Sequence, residues 1–472
     1  MIGHMYRARW VIATSAAVLG MLIPTGCTQF KDQLLEPQNP GLIDQGAVGS
    51  PAAAAALKVG AIGRMKVLYT TSETLWQESG NLADEFSNAD FQPDRNDVDQ
   101  RTMATNSPYA NYGTPTTPGV TGARGYIRDA IVAERQFEPE KTTDIGELYM
   151  SLAFVELSLG ENFCNGIPLG YNTNGVVDYT LPDFKPLTNA EVFDRAIAHI
   201  DSALNIIGNG TDANATFVRQ AALIVKARLL VDKGKVADAA ALIPESVVPT
   251  TYQYLFTTSS SNNNDDNGIW TLNNSVARVT VGDSSITYQG RTFRTLNAIP
   301  FASANDPRVP VIRSTTVPSE DGLTPLFLQQ IWKNRDDPIA MVAGIDARMI
   351  EAEARLQAND IAGMMSILNA ARAKPPRLGV LQPAAIPPLP TPATKDDAVS
   401  LFFREKAFWT FGRGQRLSDL RRLVRQYGRT QDKVFPSGDH YKGGKYGTDV
   451  NFPVPDVELV NPQFHGCIDR NA

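Results

Sequence analysis

The sequence predicts a mostly α fold, a superhelix of four helical hairpins interrupted by a loop-rich insertion. Three observations predict it. Apolar residues recur at helical spacing in consecutive pairs of segments. Short turns containing Gly, Asn or Asp separate the members of three of those pairs. One long stretch, 244–338, loses the helical period and fills with Ser, Thr, Asn and Gly.

The first hairpin follows from the stripe Ile145, Leu148, Leu152, Val155, Leu159 and its successor Phe193, Ile197, Ile200, Leu204, Ile207. Thr188 and Glu191, three residues apart, form a capping box that starts the second of these helices. The second hairpin runs 217–231, turns at Lys233-Gly234, and continues over 236–243, so the two units occupy about 144–243. The third and fourth occupy about 345–427. Ile345, Met349, Ala352 and Leu356 precede a turn at Asn359-Asp360, and Ile361, Met364, Leu368 and Ala371 follow it. In the fourth, Thr394 and Asp397 cap a helix that is apolar on nearly every side to Phe411, and such a helix belongs in the interior. After Gly412 and Gly414 comes the stripe Leu417, Leu420, Val424, Tyr427. The arginines off that stripe, within 413–429, are expected to form a solvated, salt-bridged face.

Ahead of the hairpins, helices are expected over 51–69, where Pro51 suits the first turn, over 72–89, which holds Trp76 and Phe86, and over 124–138. Between the last two, 91–119 reads as a polar loop carrying Tyr109 and Tyr112. Inside the insertion, 285–296 has strand character. Residues 374–394 hold seven prolines and read as an extended spacer.

Residues 1–26 form a signal peptide: Arg7 and Arg9, an apolar run from Trp10 to Ile23, and small residues before Cys27. That run is too short to span a bilayer. Cys27 stands where a lipoprotein acceptor would, although Pro24 occupies a position usually held by leucine, and a cleaved signal with an incidental cysteine is the plainer alternative. Residues 27–50 become a lipidated leader, with the body at 51–472, so the membrane contact is an acyl anchor. In an exported chain the two remaining cysteines, Cys164 and Cys467, are expected to form a disulfide; two free buried thiols are the alternative. Closing so long a loop is worth on the order of 4 kcal/mol.

Net charge −6 argues against nucleic acid as a partner. No histidine pair has metal-ligand spacing, and no nucleophile elbow is present. Gly443-Gly444-Lys445 lacks the first glycine and the hydroxyl of a phosphate loop, and 263–274 lacks the terminal carboxylates of a calcium loop. Glu351 and Glu353 point to different faces of one helix. The reading is therefore no catalytic residue, no metal and no cofactor. A hydrolytic carboxylate pair would have to be assembled by the fold.

Aromatic residues offer the better site. Trp10 leaves with the signal, Trp409 lies in the buried helix, and Trp76 suits the core. Trp270 and Trp332 lie in the insertion, where Tyr288, Tyr109 and Tyr112 extend a surface on which sugar rings can stack. For each residue alone, packing is the plainer role.

The run REKAFWTFGRGQRLSDLRRLVRQYG (404–428), followed by VFPSG (434–438), GGKYGTDVNFPVPDVELVNP (443–462) and Cys467, resembles the C-terminal signature of SusD/RagB lipoproteins. CTQFKDQLLEPQNP (27–40) and IDARMIEAEARLQANDIAGMMSILNAARA (345–373) match as well. The resemblance implies a tetratricopeptide-like superhelix with a loop-rich ligand-binding insertion, on an outer-membrane lipoprotein facing the exterior. It also implies an oligomeric nutrient, oligosaccharide first and peptide as in the RagB branch second, which the protein delivers as a lid over a SusC-like TonB-dependent transporter. Two other classes stay open: a cryptic glycan hydrolase, and a repeat scaffold that binds only protein.

Overall fold

A computed structural model describes residues 49–71, 73–108, 120–171, 177–261 and 265–472. The signal peptide, Cys27, Tyr109, Tyr112 and the first two residues of the calcium-like stretch lie outside the described residues.

Helix α1 (Pro51–Thr70) starts where Ser50 accepts the Ala53 N–H, with Pro51 in the first turn. The helix expected over 72–89 is shorter: α2 covers only Leu75–Leu82, and the chain then opens into strand β1 (Phe86–Asn88). Pairing with β5 (Val279–Val281), Phe86 opposite Val281, extracts Phe86 from the helix. The expected polar loop also begins with a helix, α3 (Pro93–Gln100), started by its proline. Helix α4 (Val120–Phe137) packs along α1, a pairing across some fifty residues that local periodicity does not announce.

All eight helices of the four expected hairpins are present. Helices α5 (Thr142–Asn162) and α6 (Asn189–Ile207) make the first, joined through a ribbon of β2 (Ile167–Pro168) and β3 (Pro186–Leu187). Their close approach depends on glycine: a Cβ on Gly160 would sit 2.3 Å from the Phe193 ring. The Thr188–Glu191 capping box is formed. Then come α7 (Ala213–Asp232) with α8 (Val236–Leu242), α9 (Gly344–Gln357) with α10 (Ile361–Ala373), and α11 (Lys395–Thr410) with α12 (Arg416–Arg425). The architecture is the mostly helical superhelix expected, with α11 buried through Phe402, Phe403, Phe408 and Trp409.

The insertion is closed at its base by β4 (Gln253–Phe256) against β10 (Ile339–Ala343). The strand-like run 285–296 is a hairpin rather than one strand. Strands β6 (Ser285–Tyr288) and β7 (Arg291–Arg294) turn at Gln289-Gly290, both left-handed, as a type I′ turn requires. A further ribbon pairs β8 (Val311–Arg313) with β9 (Phe327–Gln329).

Most of the arginine-rich face of α12 is not solvated; Arg425 alone of its arginines stays at the surface, beside Asp232. Arg413, Arg416, Arg421 and Arg422 are all buried, and all but one of the partners named below come from distant elements. Arg413 meets Asp346, Arg416 grips Asp84 with two bonds of 2.7 and 2.8 Å, and Arg422 pairs with Glu353 and Asp419. Arg421 donates to the carbonyls of Gly160 and Glu161 at the end of α5. The amphipathic pattern is real, but its polar side faces other helices, so α12 sits at the centre of an internal ionic hub.

Cys164 and Cys467 form the expected disulfide, with Cα atoms 6.0 Å apart. Nearby, the 3₁₀ turn Asp456–Val460 inverts the usual polarity: Val457, Leu459 and Val460 face outward while Glu458 is 1% exposed. Burial pushes the Glu458 carboxyl up to about 8. Its native pKa thus lies above the unfolded value of 4.5, so the native state keeps a proton that the unfolded chain has lost between those values. Stability contributed by this group is present at low pH and declines as pH rises through that window. Glu458→Gln is expected to flatten that decline and to stabilise the protein by about 2 kcal/mol at pH 8. Urea unfolding at pH 5 and pH 8 measures it; identical pH slopes in both proteins would refute the assignment.

Candidate ligand-binding face

The structure removes one expected residue from the site. Trp332 is 2% exposed, its indole N–H donating to the Pro338 carbonyl at 3.2 Å. The Gln329 amide oxygen takes the N–H groups of Ile331 and Trp332, and this tight turn directs the indole inward against Gly412. Trp332 is a core residue. Trp76 and Trp409 are buried as expected.

Trp270 and Tyr288 remain at the surface, each half-buried. Trp270 ends a short helical turn, Gly268–Trp270, capped by the Asn267 side chain and continued by a π-type turn, Thr271–Ser275. One side of Trp270 packs on the core. Tyr288 ends β6 and stands edge-on to the buried Tyr441 ring, with centroids 5.7 Å apart. Tyr441 is held by its hydroxyl, which donates to Asp99 at 2.8 Å.

Beside Tyr441, Lys442 bridges two loops, reaching the Asp90 carbonyl at 2.6 Å and the Asp321 carboxylate at 2.7 Å. The next residue after Asp90 is Phe91, 73% exposed. Sequence reasoning did not single out Phe91 as a candidate for ligand contact. Its one signal is position, directly before the Gln92-Pro93 helix start, where a large apolar side chain has no helical face to join.

Main-chain bonds unite these loops. Ala89 N–H donates to the Arg278 carbonyl, Arg278 N–H to Leu272, Asp321 N–H to Ala89 and Glu320 N–H to Ala277, all within 3.0 Å. Loops 88–92, 271–278, 319–324 and 440–442 therefore form one surface carrying Phe91 and Tyr288, with the Trp270 turn joined through Leu272 and Arg278. Burial opposes the charge of Asp321, but hydrogen bonds from Lys442, Thr324 and Leu323 outweigh it and hold the carboxyl below the usual range. Partial burial and the Asp321 charge raise Tyr288, so its phenol stays neutral at physiological pH. The face offers flat apolar rings and a neutralised ion pair.

Other constellations are structural. Glu353 is buried against Arg422 and Tyr427, while Glu351 pairs with Arg348. His440 is fully buried beneath the same face, next to Asp99. Among the described residues no group of three or more His, Cys, Asp or Glu is placed to hold a metal. Among them, too, no helix is long and apolar enough to cross a membrane.

The chain is thus a helical superhelix carrying a ribbon-and-loop face on which Phe91 is exposed and Tyr288 half-buried. No protein-family model matches the chain, and no curated protein matches its sequence. Solved structures do. A SusD superfamily protein from Bacteroides fragilis superposes with a TM-score of 0.62 at 12% identity, over 89% of this chain and 99% of its own. A laminarin-binding SusD-like protein gives 0.60 at 14% identity, over 89% and 99%. Surface glycan-binding protein A from Bacteroides fluxus gives 0.58 at 13%, over 87% and 97%. The fold of this chain is the SusD-like fold.

Proposed function

We propose that this protein is a SusD/RagB-type outer-membrane lipoprotein that binds an oligosaccharide and passes it to a SusC-like TonB-dependent transporter. The observation that carries the reading is the SusD-like fold over nearly nine-tenths of the chain, shared with two proteins named for glycan binding. The knitted face with Phe91, Tyr288 and Trp270 suits that role, because sugar rings stack their C–H faces on such side chains without any covalent chemistry. Cys27 would carry the acyl anchor. Ligand contacting both lid and channel would favour the closed state through its differential affinity for it.

Isothermal titration with neutral hexasaccharides tests the reading. Tyr288→Ala and Phe91→Ala are each expected to weaken binding about tenfold, or ~1.4 kcal/mol, without changing the melting temperature. Absence of binding to any hexasaccharide refutes the oligosaccharide assignment. The burial of Trp332 and Trp409 leaves few stacking rings at the surface and favours a second reading, a peptide cargo, which the same titration with oligopeptides would reveal. Product released from a labelled glycan would instead identify a hydrolase.

A further inference from the structure

An open cleft of about 750 Å³ lies where helix ends of three hairpins converge, and none of its lining residues belongs to the loop-rich insertion. Its walls are the α7–α8 turn at Gly234, the last residue of α9, Gln357, and the first turn of α11 at Lys395 and Asp396. Its floor is apolar and aromatic, formed by Val399 and Tyr427. The volume falls within the ~300–1,000 Å³ typical of small-molecule sites.

The Tyr427 ring is fixed in place. Its hydroxyl donates to Glu353 at 2.7 Å, and Phe403 meets the ring edge-on at 5.1 Å. A surface ordered before the ligand arrives loses little entropy on binding. The rim groups keep hydrogen-bonding capacity: Gln357 makes only a long 3.4 Å bond to Tyr427, and Asp396 uses one carboxylate oxygen on Arg429. Lys395 is exposed. One ammonium, one carboxylate already paired with Arg429, and the amides of Gln357 and Gln426 surround the ring, so the rim both donates and accepts. A neutral polyol gains on both counts, its C–H face on the phenol ring and its hydroxyls on the rim.

We infer that this cleft is a second saccharide-binding site, which holds a neutral sugar ring against Tyr427, remote in sequence from the loop-rich face. The inference rests on the oligosaccharide reading and extends it to two sites per molecule. Titration of the mature protein with neutral hexasaccharides at millimolar concentration is expected to show two sites. Gln357→Trp, which fills the cleft from an exposed position, removes one and leaves the other; Phe91→Ala/Tyr288→Ala does the reverse. Lys395→Ala/Asp396→Ala repeats the test without added bulk and is expected to weaken the second site at least tenfold. A single site, abolished by the Phe91/Tyr288 pair and untouched by the cleft variants, overturns the inference while sparing the proposed function. No binding at all overturns both.

Discussion

Arg422→Ala is expected to lower the unfolding free energy by about 3–5 kcal/mol, a large share of the total stability of an ordinary protein. The guanidinium is 1% exposed and stacks two carboxylates around it, Glu353 and Asp419. Removing it leaves Glu353, itself fully buried, with only the Tyr427 hydroxyl. Asp419 retains Lys406 at 2.6 Å, so most of the loss arises at Glu353. The reason is desolvation: the pair gains little over water when intact, but a lone charge in its place has nothing to replace its hydration. Arg422→Met/Glu353→Gln, which removes both charges, is therefore expected to recover more than half of the loss. Urea unfolding of the three proteins measures this. A loss under about 1 kcal/mol for Arg422→Ala would mean that the arginine is effectively solvated, as its helical pattern alone suggests.

That contrast shows where the sequence is legible. Periodicity identifies which residues share a helix face, and side-chain-to-backbone caps are local, so the hairpin helices and the Thr188–Glu191 and Thr394–Asp397 boxes could be read directly. What a polar face meets is not local. The partners of Arg416 and Arg421 lie 332 and 260 residues away, so the face resembles a solvent-facing one. Trp332 shows the same limit: loop-rich composition marks a surface region, but the turn set by Gln329 sends this one side chain inward, to the packing role that was its plainer reading. Phe91 shows the converse, an apolar residue left outside because the pairing of β1 with β5 redirects the chain before α3 begins. The candidate face is assembled from four loops, and only two of its aromatic residues lie in the stretch that composition singled out.

Replacing Cys467 by Ser is expected to lower stability by about 4 kcal/mol and to loosen the C-terminal segment selectively. The bridge spans 303 residues of sequence, so in the unfolded chain it closes a very large loop and removes much of that state's freedom. In the folded protein the tail is otherwise held by the buried Phe464, an Arg470–Asp449 ion pair and a few hydrogen bonds. Ile468 N–H donates to the Asn165 carbonyl, Asn165 reaches Asp469 at 3.0 Å, and Asn451 takes the carbonyls of Arg470 and Asn471. Upstream, Phe163 and Phe452 pack in the core, and Cys164 N–H donates to Phe452. Loss of the bridge should therefore raise hydrogen exchange across 462–472 strongly and across 450–454 weakly, while the hairpin helices keep their relative order of protection. Cys164→Ser/Cys467→Ser should match the single variant within about 1 kcal/mol, since the constraint on the unfolded chain is already gone. An unchanged denaturation midpoint, with exchange in the tail unaltered, would show that the tail's own hydrogen bonds suffice and that the crosslink contributes nothing to the fold.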